Sequence, residues 1–258
     1  RDNLTPTASN AILPNYFINT VSAYAEENNV DVLYLQTNAN LFRYSAYSNS
    51  DSSQDTYEVA GKVAAGSTFA GQGAGAYDPQ RKIFVRTAGS IFTFWNLDQP
   101  QGIVPSNVIF SPQVVGGIFN FNRLIYYGLD YDHRRQVFLL WDGGQDVWQL
   151  IPPQDLSSGN WVLSRVTPEG LSVPQQGSVV NPILGKWKYA RALDAFIGLF
   201  DSRSGDIWVY KPANWQPEIE NEGVSLVNVR NGETVYSNQP VELSVYALGK
   251  TISRVEYL

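Results

Sequence analysis

Cysteine and methionine are both absent from this 258-residue chain, and histidine occurs once, at position 133. Without cysteine there is no disulfide, no thiol nucleophile, and no Cys-ligated zinc or iron–sulfur centre. The chain can do without such staples, because one of this length buries roughly 70–75% of the surface its unfolded form exposes. The lack of cysteine suits an exported bacterial protein that avoids mispairing. With no methionine even at position 1, Arg1 reads as the start of a processed piece of something longer, its leader already removed. Charge is sparse: 16% of residues are charged, the net charge is −6, and no Lys/Arg cluster interrupts the chain. Such a surface is a poor partner for nucleic-acid phosphates. The longest apolar run, Val137 to Trp141, is strand-sized and far short of the ~18–20 residues of a membrane span. A Gly-rich phosphate loop and a Gly-x-Ser-x-Gly elbow are missing as well.

Aromatics are plentiful, with 7 Trp, 15 Tyr and 12 Phe, and they recur on a schedule. Tyr24 leads through an acidic turn to Val30-Asp31-Val32-Leu33-Tyr34, with Leu41-Phe42-Arg43-Tyr44 beyond. Tyr77-Asp78-Pro79 leads to Ile83-Phe84-Val85 and Ile91-Phe92-Thr93-Phe94. Tyr131-Asp132-His133 leads to Val137 through Trp141 and Val147-Trp148-Gln149-Leu150. Tyr189-Ala190-Arg191 leads to Ala195 through Leu199 and Ile207-Trp208-Val209-Tyr210. The steps between the four tyrosines are 53, 54 and 58 residues. Apolar and polar residues alternate with period two inside each copy, and turn signals such as Gly116-Gly117 and Asp142-Gly143-Gly144 separate them. No stretch reads as an amphipathic helix of three turns. An all-strand repeat near fifty residues is the spacing of a β-propeller blade, so residues 1–216 are expected to be all-β, with at least four blades.

The rhythm changes after Trp215. Residues 217–223 read as an acidic linker. Three strand-like runs follow, from Val224, Val241 and Ile252, and they resemble the opening strands of bacterial immunoglobulin-like modules. Such a sandwich needs about seven strands over ~100 residues. Only 35 residues follow Gly223, so residues 224–258 would be a truncated one.

Tyr127-Gly128-Leu129-Asp130-Tyr131-Asp132 with Trp141-Asp142-Gly143-Gly144 through Trp148 resembles the blades of bacterial kelch-like propellers, the group that includes galactose-oxidase-type folds. Gly185-Lys186-Trp187-Lys188-Tyr189 through Val209-Tyr210-Lys211-Pro212 does the same, and the likeness spans about residues 20 to 215. In that family the paired glycines and the following tryptophan are chiefly structural, a role the resemblance gives to Gly143, Gly144 and Trp148. Kelch-like rings close with six or seven blades, so four copies imply part of a larger ring, or one that a partner completes. The copper site of galactose oxidases needs two histidines and a cysteine-linked tyrosine, which a chain with one histidine and no cysteine cannot supply.

Against that background His133 reads as a turn residue more than a ligand, since metal and catalytic use recruits partners. Asp130, Asp132, Asp142, Asp146, Asp194, Asp201 and Asp206 lie at turns, where carboxylates can ligate a structural calcium or cap backbone amides. No cofactor beyond that calcium is expected. Ser202-Arg203-Ser204-Gly205-Asp206-Ile207-Trp208 has the outline of a sialidase aspartate box, but with Arg203 where the aspartate belongs. Asn3-Leu4-Thr5 is a glycosylation sequon. Trp148 and Trp208 occupy a repeated strand position and are expected in the core. Trp95, Trp141, Trp187 and Trp215 lie nearer strand ends, where a ring either stacks on a sugar or seals neighbouring blades.

The sequence therefore predicts a secreted or cell-surface propeller that binds or scaffolds a glycan or another extracellular polymer without catalysis. The residues expected to line its site are Trp95, Trp141, Asp142 and Trp187. Two rivals stand beside it. One is the C-terminal part of a carbohydrate-active enzyme whose catalytic residues lie in other blades. The other is a structural subunit of an extracellular assembly that takes a protein partner through residues 224–258.

Overall fold

A computed structural model describes residues 20–37, 40–47, 54–65, 72–169, 177–178, 180–201 and 205–217, and the backbone of 224–226 and 245–247. The sequon, residues 202–204 of the box-like hairpin, nearly all of the linker and most of the C-terminal region lie outside that description.

The fold is all-β, four small antiparallel sheets in a propeller-like ring. Blade 1 is the meander β1 (Val21–Glu27), β2 (Val30–Gln36), β3 (Asn40–Ala46) and β4 (Thr56–Lys62). Blade 2 is β5 (Gly75–Asp78), β6 (Ile83–Ala88), β7 (Ile91–Asn96) and β8 (Val108–Phe110). After β9 (Gln113–Val115), blade 3 comprises β10 (Gly128–Asp132), β11 (Val137–Trp141), β12 (Val147–Ile151) and β13 (Val162–Val166). β9 pairs in parallel with the outer edge of β13, adding a fifth strand that the repeat does not announce. Blade 4 holds β14 (Trp187–Ala190), β15 (Ala195–Leu199) and β16 (Ile207–Tyr210). In the C-terminal region β17 (Val224–Leu226) pairs antiparallel with β18 (Val245–Ala247). Among the described residues the helical pieces are short 3-10 turns at Phe121–Tyr126, Leu184–Lys186 and Arg191–Leu193. None of them is long and apolar enough to cross a membrane.

The first strands of the blades, β1, β5, β10 and β14, are consecutive neighbours. They carry the four repeated tyrosines, so the sequence period is the step from one blade to the next. Three apolar clusters fill the three seams. Val21, Ala23, Val32, Tyr34 and Leu41 meet Tyr77, Phe84, Ala88 and Trp95 between blades 1 and 2. Ile83, Val85, Phe92 and Phe94 meet Leu129, Tyr131, Phe138, Leu140, Trp148 and Trp161 between blades 2 and 3. Leu139, Trp141 and Val147 meet Trp187, Phe196 and Tyr210 between blades 3 and 4. Each sheet thus hides one face only against the next, which is why no blade stands alone.

Position in the ring explains where the alternation of polar and apolar residues holds and where it fails. In β1 the buried residues Val21, Ala23 and Ala25 alternate with exposed Ser22, Tyr24 and Glu26. In β6, at the centre of a blade flanked on both sides, all six residues are buried, Arg86 and Thr87 included. A strand covered on both faces loses the period-two signature.

The turn between the first two strands repeats more strictly than its sequence does. Asn29, Lys82, Gln136 and Asp194 all have left-handed φ, from 47° to 61°, and each sits one residue before the second strand of its blade. In blade 1, Asn28 and Asn29 are both left-handed, the geometry of a tight hairpin whose twist matches its strands. In blades 2 and 3 an aspartate organises a longer turn. Asp78 Oδ1 accepts from the Gln80 and Arg81 amides at 2.9 and 3.2 Å, and Arg81 returns to Asp78 Oδ2 at 2.7 Å. Asp132 holds the Arg134 and Arg135 amides at 3.0 and 2.9 Å, with Arg135 on its other oxygen at 2.9 Å. Each arginine then reaches the left-handed residue of the next blade. Arg81 donates to the Gln136 carbonyl at 3.4 Å, and Arg135 grips the Asp194 carboxylate at 2.7 and 2.9 Å.

Candidate functional site

The residues that the sequence nominates for sugar stacking are inside the seams. Trp95, Trp141 and Trp187 are at most 4% exposed. Trp95 donates its indole N–H across the first seam to the Lys62 carbonyl at 2.8 Å. Trp141 donates to the Gly144 carbonyl at 2.8 Å and packs 5.1 Å from Trp187, which itself stacks 4.9 Å from Phe196. The Trp187 indole reaches back to the Leu139 carbonyl at 3.2 Å, so blade 4 is pinned to blade 3. None of the three offers a ring face to solvent, and the expectation that they stack on a sugar is corrected accordingly: they seal neighbouring blades. Asp142 is also committed. It accepts from Arg123 at 2.9 and 3.2 Å and from the Gly144 amide at 2.9 Å. Trp148 is buried as expected, whereas Trp208, on the last strand of the three-stranded blade 4, is only half-buried. Trp215 is half-buried too, its ring capped by Lys211 Nζ at 4.2 Å.

The turn aspartates, for which the sequence left a structural calcium or backbone capping open, meet protein cations and backbone amides. Asp132 and Asp194 share Arg135, Asp146 faces Arg165 at 2.9 Å, and Asp130 faces Lys188 at 3.6 Å while accepting the Tyr189 amide at 2.8 Å. Among the described residues no three His, Asp or Glu side chains converge as a metal site would require. His133 is half-buried and lies 3.0 Å from Arg191. Burial, and then the Arg191 charge, lower its pKa to about 4, so the imidazole is neutral and accepts from the guanidinium.

A solvent-accessible cleft of about 310 Å³ opens instead at the rim between blades 1 and 2. Its floor is a row across one face of blade 1: Tyr34 on β2, Arg43 opposite it on β3, and Glu58 opposite Arg43 on β4. Glu27, at the end of β1, reaches into the row. Its carboxylate accepts from the Tyr34 hydroxyl at 2.7 Å and from Arg43 at 2.9 Å, and Tyr77 of blade 2 adds a third donor. Burial alone would raise the Glu27 carboxyl, but these donors outweigh it and hold the group below its ordinary range. Burial and the Glu27 charge push the Tyr34 phenol well up, and burial together with the Glu27 charge does the same for Tyr77, so both hydroxyls stay protonated as donors. Arg43 also touches Glu58 at 3.3 Å, a looser contact to a carboxylate that is 59% exposed.

The opposite wall is the connection from β7 to β8. Leu97, Gln99 and Pro100 lead into a turn closed by the Ile103 amide on the Pro100 carbonyl at 3.1 Å, with Gly102 at φ 85° in its third position. That dihedral is open to glycine and disfavoured by any residue with a β-carbon. The connection is tied to blade 1, because Lys62 donates to Pro105 at 2.8 Å and Asn107 donates to Lys62 at 3.1 Å. The same Lys62 carbonyl receives the Trp95 indole. Sequence reasoning missed this site. Its signal is slight: charged residues at Arg43 and Glu58 on a blade face that packing alone would make apolar.

No protein-family model matches this chain, and no curated protein matches its sequence.

Proposed function

We propose that this chain is a non-catalytic binding or scaffold propeller, built like the bacterial kelch-like blades its sequence resembles. In this reading it is secreted or displayed on the cell surface, and a glycan or another extracellular polymer is its ligand. One observation carries the proposal. The cleft between blades 1 and 2 combines hydrogen-bonding side chains with aliphatic walls, at the low end of the 300–1,000 Å³ range of small-molecule sites. A propeller whose aromatics are spent on its seams provides a rigid frame for such a cleft, and rigidity limits the entropy lost on binding. Binding fits the electrostatics better than glycoside hydrolysis does. Hydrolysis needs a carboxylic acid and a carboxylate both free to act on the substrate, whereas the Glu27 carboxylate is committed to Tyr34 and Arg43. The β17–β18 pair is what the opening of an immunoglobulin-like sandwich would supply, and that module would carry the propeller on the cell surface. The test is a glycan array probed with the full chain at neutral pH. Retention of at least one class of polysaccharide is expected, and an array with no retained glycan would overturn the proposal.

A further inference from the structure

The charges that line the cleft cancel. Glu27 and Glu58 face Arg43 and Lys82, and Lys82 is itself held by Asp98 at 2.7 Å. A polyanion or polycation would meet as much repulsion as attraction there, whereas a ligand whose every edge both donates and accepts meets a partner at each point. Hydroxyl groups have that property. The apolar part of the lining is aliphatic (Leu97, Ile103, Pro105), while the two tyrosines beneath it, Tyr34 and Tyr77, are at most 5% exposed. The cleft therefore presents no aromatic platform along which a polymer could lie, and its size suits one or two sugar units.

Glu27 and Glu58 play unequal parts. Glu27 is fixed by three donors and anchors Arg43. Glu58 is mostly exposed and meets Arg43 at the longer 3.3 Å. A guanidinium has five N–H donors, so Arg43 can keep Glu27 and still donate to a ligand. Resting on the binding function proposed above, we infer that the cleft is a subsite for an uncharged sugar residue, read through two adjacent hydroxyls. One hydroxyl accepts from Arg43, and the other donates to Glu58. The aliphatic wall from Leu97 to Pro105 covers the C–H face of the ring. Glu27 is a positioning residue that orients Arg43.

The experiment measures binding of neutral gluco-, manno- and galacto-oligosaccharides, beside oligogalacturonate and chitosan oligomers, by calorimetry on the full chain. Two variants accompany it, both at exposed positions, one on β4 and one in the turn before β8. Glu58→Gln keeps the shape and removes the charged acceptor, with an expected loss of about tenfold or more for the preferred neutral sugar. Ile103→Trp, on the opposite wall, fills the cleft and is expected to abolish binding while the melting temperature stays within about 2 °C of the parent. Binding of a neutral sugar that both variants preserve would overturn the assignment to this cleft and leave the wider binding function standing. Preference for the charged oligomers would overturn the uncharged-ligand inference in the same way. If the parent bound no carbohydrate at all, both readings would fall together.

Discussion

Gly198 is the most exacting position in the seam between blades 3 and 4. It lies on β15, paired with Trp187 on β14 and Trp208 on β16. A β-carbon built there falls 2.9 Å from Trp141 Cε3 and 3.0 Å from Trp187 Cε3, with Trp141 Cζ3 closer still. These are two indoles already in contact with each other, hydrogen-bonded to backbone carbonyls and almost wholly buried, so neither can swing aside. Adding one methyl group to a packed core costs about 1–3 kcal/mol, and two immovable rings put Gly198→Ala at the upper end. At about 2–4 °C per kcal/mol for a domain of this size, the variant should melt about 6–12 °C below the parent. Two other glycines serve as controls for the same chemical change. Gly185 has open space around its missing β-carbon and no left-handed φ, so Gly185→Ala should leave stability unchanged or raise it by up to about 1 kcal/mol. Gly102 has equally open space but φ of 85°, so Gly102→Ala should lose about 1 kcal/mol to backbone strain alone. Thermal unfolding followed by circular dichroism and by tryptophan emission orders the three. A Gly198→Ala melting point within about 2 °C of the parent would refute the account of the seam.

Three further outcomes are expected. Burial pushes the Asp194 carboxyl up, but Arg135, the Gln216 amide and Tyr189 together lower it to about 2, against an ordinary value of 3.8. Its contribution, on the order of 2 kcal/mol, is present above pH ~4 and is lost as pH falls toward 2. Urea titrations across that window should show the loss in the parent and a flatter profile in Asp194→Asn, and equal slopes would contradict it. The His133 imidazole, whose folded pKa is near 4 against 6.5 in the unfolded chain, contributes stability fully present above pH ~6.5 and lost on acidification toward 4. Nuclear magnetic resonance of the ring protons should find it neutral at pH 5, and a midpoint at 6 or above would contradict its placement. Because burial precedes the Arg191 charge among the causes, Arg191→Ala should raise that midpoint only part of the way. Trp187→Ala, which empties the centre of the third seam, should cost about 3–5 kcal/mol, and a loss under about 1 kcal/mol would show that the seam is not packed as described.

The architecture was legible because its cause is periodic. Each blade buries its first strand against the preceding blade, and the Tyr24, Tyr77, Tyr131 and Tyr189 spacing records that step directly. In the first seam the tyrosine also meets charge, Tyr77 lying beside the Glu27 carboxylate of blade 1. Illegible were features set by geometry between distant residues. The left-handed position before each second strand is filled by Asn, Lys, Gln and Asp, four residues with no common side-chain chemistry, so no pattern betrays it. The fifth strand β9 belongs to blade 3 through a parallel pairing that local sequence cannot announce. The tryptophans were ambiguous in principle. Proximity to a strand end suits both a sugar platform and a seam, and what decides between them is the facing glycine, Gly61 against Trp95 and Gly198 against Trp141, some 34 or 57 residues away in the chain. The Tyr34–Arg43–Glu58 row escaped notice because its members share a face only once the register of three strands is known.

The segment after β16 does not simply leave the ring. Arg135 donates to the Ala213 and Asn214 carbonyls at 2.8 and 3.1 Å, Asp194 accepts the Gln216 amide at 2.6 Å, and the Trp215 indole is fastened to the Leu193 carbonyl at 2.7 Å. Traction applied beyond residue 217 is thus borne first by a knot of bonds rooted in blades 3 and 4, loaded in parallel, and the β15–β16 ladder is shielded from being unzipped one rung at a time. For a body tethered at that side, the knot works as a strain relief, as a grommet protects a cable where it enters its housing.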